Sequence, residues 1–108
     1  MPHGIVMWDE KDKLKMINEY GNKVLERGGV FVKPGVDYKE YIKMQKKNNF
    51  HKFNSKREKE KYYEVGLKNR KILKGVTTIE TPPFYDDSIW QSTSTRLPDG
   101  GIFSILSN

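Results

Sequence analysis

The chain has neither cysteine nor alanine among its 108 residues, and no apolar run approaches bilayer length. Without cysteine there is no disulfide framework, no thiolate metal site, no cysteine nucleophile and no flavin or chromophore held through sulfur. A reducing compartment is permitted, and the cytoplasm is the expected location of the domain. A membrane span needs roughly 20 apolar residues, and the start lacks the basic and apolar regions of a secretory signal, so no membrane contact is expected of this segment. Missing alanine, frequent asparagine and a Lys to Arg ratio of 16 to 4 together read as the codon bias of an AT-rich genome. That bias weakens any step from lysine content to nucleic acid.

Catalytic signatures are also missing. There is no glycine-rich phosphate loop between a strand and a helix, no pair of histidines at metal spacing, and no serine with a plausible His and Asp partnership. The adjacent acids Asp86 and Asp87 follow Pro82, Pro83 and Tyr85 and read as a solvated turn rather than a cation site. No enzymatic activity is expected within these residues.

What is present describes one domain over residues 1–108, with 35% hydrophobic, 31% charged and 12% aromatic residues, enough for a modest core. The net charge is +6, but it is uneven. Between Lys43 and Lys74 there are 12 Lys or Arg against 3 Glu, so a basic segment sits on a mildly acidic remainder. Phe50, Phe53, Tyr62 and Tyr63 interleave with these cations. The alternative function is therefore nucleic-acid binding, with lysines on phosphates and aromatics stacked on bases. Against it, Lys59, Lys61, Lys68, Lys71 and Lys74 on one side, with Tyr63 and Leu67 on the other, describe a solvated amphipathic helix. Nucleic acid is not the expected partner.

The element pattern runs from two strands through helices to three strands. Gly4-Ile5-Val6-Met7-Trp8 and Leu14-Lys15-Met16-Ile17-Asn18 flank a polar turn and predict a hairpin. Asn18 is placed to cap a helix through Arg27, which Gly28-Gly29 stops. Asp37 with Glu40 has capping-box spacing and opens a second helix carrying Tyr38, Tyr41, Ile42 and Gln45, ending near Lys47. Ser55 with Glu58 repeats the box before the longest helix, from about Lys56 to Leu73, whose predicted apolar side is Tyr62, Tyr63, Leu67, Ile72 and Leu73. Residues 76–81 and 88–97 read as strands. Asp99-Gly100 predicts a two-residue hairpin turn leading to a last strand from Ile102.

Gly4-Ile5-Val6-Met7-Trp8-Asp9 followed by Asp12, Leu14 and Asn18 resembles the opening hairpin of PAS domains. Trp90 followed by Arg96-Leu97-Pro98-Asp99-Gly100-Gly101-Ile102-Phe103 resembles the closing hairpin of the PAS subgroup found in bacterial sensor histidine kinases and nucleotide-cyclase receptors. The resemblance implies an α+β fold, ββααα-βββ, with helices on one face of a five-stranded antiparallel sheet. It also implies a sensory or regulatory input module that binds a small ligand or dimerises through PAS–PAS contacts. In this family the last strand continues into an Asp-Ile-Thr signature, whereas this sequence stops at Ser107-Asn108. The expectation is a module excised from a longer two-component or cyclase receptor, whose membrane anchor, where there is one, lies outside these residues.

On that resemblance the pocket candidates are Asn18, Tyr41, Tyr63, Leu67, Trp90 and Ser92. Relatives that hold haem use an axial imidazole on or near the long helix. His3 is terminal and His51 lies in an Asn- and Lys-rich loop that reads as solvated, so haem is not expected. A noncovalent ligand, flavin included, is compatible with the residues.

Overall fold

A computed structural model describes residues 3–108. Its strands are β1 (Gly4–Trp8), β2 (Leu14–Ile17), β3 (Val76–Glu80), β4 (Gln91–Arg96) and β5 (Ile102–Ser107). The helices α1 (Glu19–Arg27), α2 (Tyr38–Lys47) and α3 (Lys56–Ile72) all fall between β2 and β3. The five strands form one antiparallel sheet in the order β2-β1-β5-β4-β3, so the first and last strands lie side by side at its centre. The α+β class and the element order are those predicted.

Alternation decides the two sheet faces. Along β1 the side chains of Val6 and Trp8 are buried, and Leu14 on β2 and Ile102 on β5 join them under the helices. Ile5 and Met7 point the other way, opposite Ile105 and Phe103, with Thr93 and Thr95 next in line on β4. That second face belongs to neither core cluster. One cluster gathers Val24, Leu25, Val30, Phe50, Phe84 and Trp90. The other is Val6, Trp8 and Leu14, and Tyr41 packs against both.

Local chemistry sets the helix starts. Asn18 Oδ1 accepts from the Gly21 amide at 2.9 Å and from the Ile5 amide at 3.0 Å, tying α1 to β1. Asp37 accepts from the Lys39 amide, and Ser55 Oγ from the Glu58 amide at 3.1 Å. Glu58 reaches back to the amide of Asn54, one residue before the cap, while Glu40 turns to Lys43 instead of completing its box. At the other end of α1, Gly29 takes the left-handed position at φ +82°.

Three predictions need correction. The closing turn is not a two-residue loop: Leu97 N donates to Gly101 O at 2.8 Å, and Gly100 N to Leu97 O at 2.9 Å. Pro98 and Asp99 occupy an ordinary turn and only Gly100 is left-handed, at φ +93°. Proline holds φ near −65°, which suits a type I turn followed by a left-handed glycine. The strand predicted from residue 88 starts at Gln91, because Asp86 bonds Ser88 and Asp87 adopts φ +67° in the turn before it. Ile72 is 73% exposed rather than part of the apolar side of α3. It lies five residues beyond Leu67, roughly 140° further around the helix.

The two hairpins meet at their turns. A Cβ placed on Gly101 would stand 2.5 Å from the Trp8 carbonyl oxygen, a backbone atom that cannot step aside. Gly101→Ala is therefore expected to cost about 1 to 3 kcal/mol in urea denaturation. Gly66→Ala is the control: nothing lies within 4 Å of its added Cβ in the middle of α3, and it should gain about 0.5 to 1 kcal/mol. Equal effects from the two substitutions would contradict the close approach of the hairpins.

Candidate functional site

Helix α3 covers the sheet loosely, with Tyr63 as its one buried residue. Beneath it lies a cavity of about 1220 Å³ between α2, α3 and the inner face of β3, β4 and β5. Small-molecule pockets commonly occupy roughly 300 to 1000 Å³. The cavity opens beside β3, where Ile79 on the inner face is still 46% exposed.

Helical and strand spacing put its walls together. Tyr38, Tyr41 and Gln45 recur at three- and four-residue intervals on α2, as do Tyr63, Gly66, Leu67 and Arg70 on α3. On the floor, alternation brings up Ser92 and Ser94 from β4, and Ile102, Ser104 and Leu106 from β5. Ser94 pairs with Ser104 in register, and their hydroxyl oxygens lie 2.8 Å apart. A filled core would carry large apolar side chains at these positions. Serines there, and a glycine on the facing helix, leave the space open.

The walls are rich in rings. Trp8 meets Tyr38 edge-on at 5.0 Å and Tyr41 at 5.4 Å. Opposite them, His51 packs against Phe53, Tyr62 and Phe84. Burial raises the pKa of Tyr38, Tyr41 and Tyr63 and pushes Tyr62 up to about 12, so these four phenols are protonated at neutral pH. Tyr63 is only 3% exposed and its hydroxyl has no hydrogen-bond partner; the buried Thr81 hydroxyl is likewise unpaired. Such groups are uncommon in folded chains, and each carries the cost of its lost hydration.

One cation reaches the wall. The Arg70 guanidinium lies 3.6 Å from the Tyr38 ring centre and pairs with Asp12 at 3.1 Å. Its helix end is held from the sheet by Arg96, which donates to the carbonyls of Arg70, Leu73 and Gly100. Arg96 thus joins the end of α3 to the β4–β5 turn.

The structure brings Tyr41, Tyr63, Leu67 and Ser92 to this cavity and places Asn18 and Trp90 elsewhere. Asn18 is consumed in capping α1 and in a bond from its amide to His3 O. Trp90 belongs to the core cluster of Phe50 and Phe84, because its segment turns before the strand begins. The loop histidine is the larger correction: His51 is 6% exposed, held by a bond between Nδ1 and Pro82 O at 3.1 Å, and burial lowers its pKa to about 4. It bridges to Phe84, a partner no local spacing reveals. Tyr38, Arg70, Ser94 and Ser104 were also missed. Tyr38 three residues before Tyr41, and Ser94 two after Ser92, carried the signal.

In the basic segment, Phe50 and Tyr63 are buried and so are not offered to bases. Among the described residues no three His, Asp or Glu side chains gather to hold a metal ion, and no helix is long and apolar enough to cross a membrane. No family model matches the chain, and no curated protein matches it either.

Proposed function

We propose that this chain is a PAS sensory input module of a bacterial signal-transduction protein. It binds a small noncovalent ligand under α3 and relays occupancy to a C-terminal output domain, a histidine kinase or nucleotide cyclase, in the cytoplasm. The observation that carries this reading is the cavity of about 1220 Å³ with Ser92, Ser94 and Ser104 on its floor and Gly66 on the helix above it. Further support comes from the two motif-bearing hairpins pairing side by side through β1 and β5, with all helices inserted between them.

The relay follows from the contacts around Arg96. A ligand wedged between α3 and the sheet moves the end of α3, and Arg96 passes that displacement to the turn that feeds β5. Signalling requires the ligand to favour one arrangement over the other, since equal affinity for both shifts nothing. The uncovered face of Ile5, Met7, Phe103 and Ile105 supplies the surface for a homodimer in the intact receptor.

Native mass spectrometry of the purified chain, with an absorption spectrum from about 300 to 700 nm, tests the reading. A stoichiometric bound mass is expected, and a chain that stays at bare mass through a small-molecule screen overturns it. The native mass also reports the homodimer.

A further inference from the structure

The cavity's own groups narrow what can fill it, an argument that rests on its being a ligand site. We infer that it takes an uncharged, planar ring compound bearing a hydrogen-bond acceptor such as a carbonyl oxygen.

Charge is decided first. A charged ligand leaving water needs a counter-charge in the cavity, or its desolvation goes uncompensated. Arg70 is the one charged side chain that is largely buried in the wall, and it is already taken by Asp12 on one side and the Tyr38 ring on the other. The other charged residues along it, Lys52, Glu58, Lys61, Glu80 and Asp87, are all exposed to water, with Lys52 paired to Asp87 and Glu58 turned to the Asn54 amide. Burial keeps His51 neutral and the phenols protonated. The interior therefore offers neither anion nor free cation.

Shape and hydrogen bonding then select within neutral molecules. Trp8, Tyr38 and Tyr41 on one side and His51, Phe53 and Tyr62 on the other present ring faces and edges, which favour a flat ring in offset or edge-on contact. The spare polar capacity is mostly donor. Ser94 and Ser104 share one hydrogen between two hydroxyls, which leaves the second hydrogen free. An acceptor on the ligand would take that free hydrogen from the serine pair on the floor.

Three probes sharing a naphthalene ring test this on the whole chain: acetylnaphthalene as the neutral acceptor, naphthoate as the anion and naphthylmethylammonium as the cation. Titration calorimetry should find the ketone bound at least about tenfold more tightly than either ion. Replacing both serines, Ser94→Ala together with Ser104→Ala, should weaken the ketone about tenfold and leave plain naphthalene unchanged, which also shows that the variant is folded. An ion bound as tightly as the ketone, a ketone affinity indifferent to the double serine variant, or no probe bound overturns the inference. If native mass spectrometry still shows a bound mass, only the ligand class falls; a bare mass removes the pocket reading as well.

Discussion

Trp90→Ala is expected to lower the unfolding free energy by about 3 to 5 kcal/mol, the range for emptying a large aromatic from a packed core. The indole is 5% exposed and stacks on Phe84 with ring centres 5.1 Å apart and planes 12° from parallel. Its Nε1–H donates to Ser88 Oγ at 2.7 Å, so truncation also strips a partner from the turn ahead of β4. For a domain with a total stability of roughly 5 to 15 kcal/mol the loss is a large share. Urea denaturation followed through the remaining tryptophan, Trp8, measures it. Trp90→Phe keeps a ring on Phe84 and gives up the N–H bond, so about 1 kcal/mol is expected. Because Trp90 lies outside the cavity under α3, acetylnaphthalene affinity should be the same in Trp90→Phe as in the parent. A Trp90→Ala loss below about 1 kcal/mol, or a Trp90→Phe variant that folds and no longer binds the ketone, would return Trp90 to the ligand wall.

That placement shows where the sequence stopped being informative. The caps at Asn18, Asp37 and Ser55 were readable because an oxygen and the amide two or three residues on are neighbours in any helix start. β1 and β5 were readable for the same reason, since a β-prone run beside a polar turn is a local signal. Trp90 and Ser92 look alike on that criterion, two residues apart in a β-prone stretch. What separates them is the turn at Asp86 to Ser88, which delays the strand and sends the indole to the Phe50 and Phe84 cluster.

The cavity was half legible. Its residues could be picked where they sat on a periodic element, as with Tyr41, Tyr63, Leu67 and Ser92. Its emptiness could not, because open space depends on how far α3 stands from the sheet, and that distance is set by contacts remote in sequence. Arg70 reaching Asp12 and Arg96 reaching the end of α3 are two of them. Composition pulled the wrong way at His51, where asparagines and lysines suggested water. The residue is instead covered by the segment of Pro82 to Phe84, about thirty positions away.

His51 also gives the chain an acid sensitivity of predictable sign. In the unfolded chain the imidazole titrates near its ordinary value of 6.5, whereas burial lowers the folded value to about 4. Between those values the unfolded state binds the proton and the folded state does not, so stability falls as the pH falls. The contribution is intact above the unfolded value and is lost progressively on the way down to the folded one. At 1.36 kcal/mol per unit the loss from pH 7 to pH 4 is about 3 kcal/mol. Asp37 and Asp86, whose pKa values are held low by hydrogen bonds to Lys39 and Ser88, destabilise the fold on acidification only as the pH drops through the ordinary carboxylate range. Their effect starts where that of His51 is nearly complete. His51→Asn keeps a donor where Nδ1 meets Pro82 O and cannot titrate, so its stability should be nearly flat from pH 7 to pH 5 while the parent declines. Urea midpoints at four pH values decide it. Parallel curves for the two proteins would mean that His51 is solvated after all, and the wall of rings it forms with Phe53 and Tyr62 would go with it.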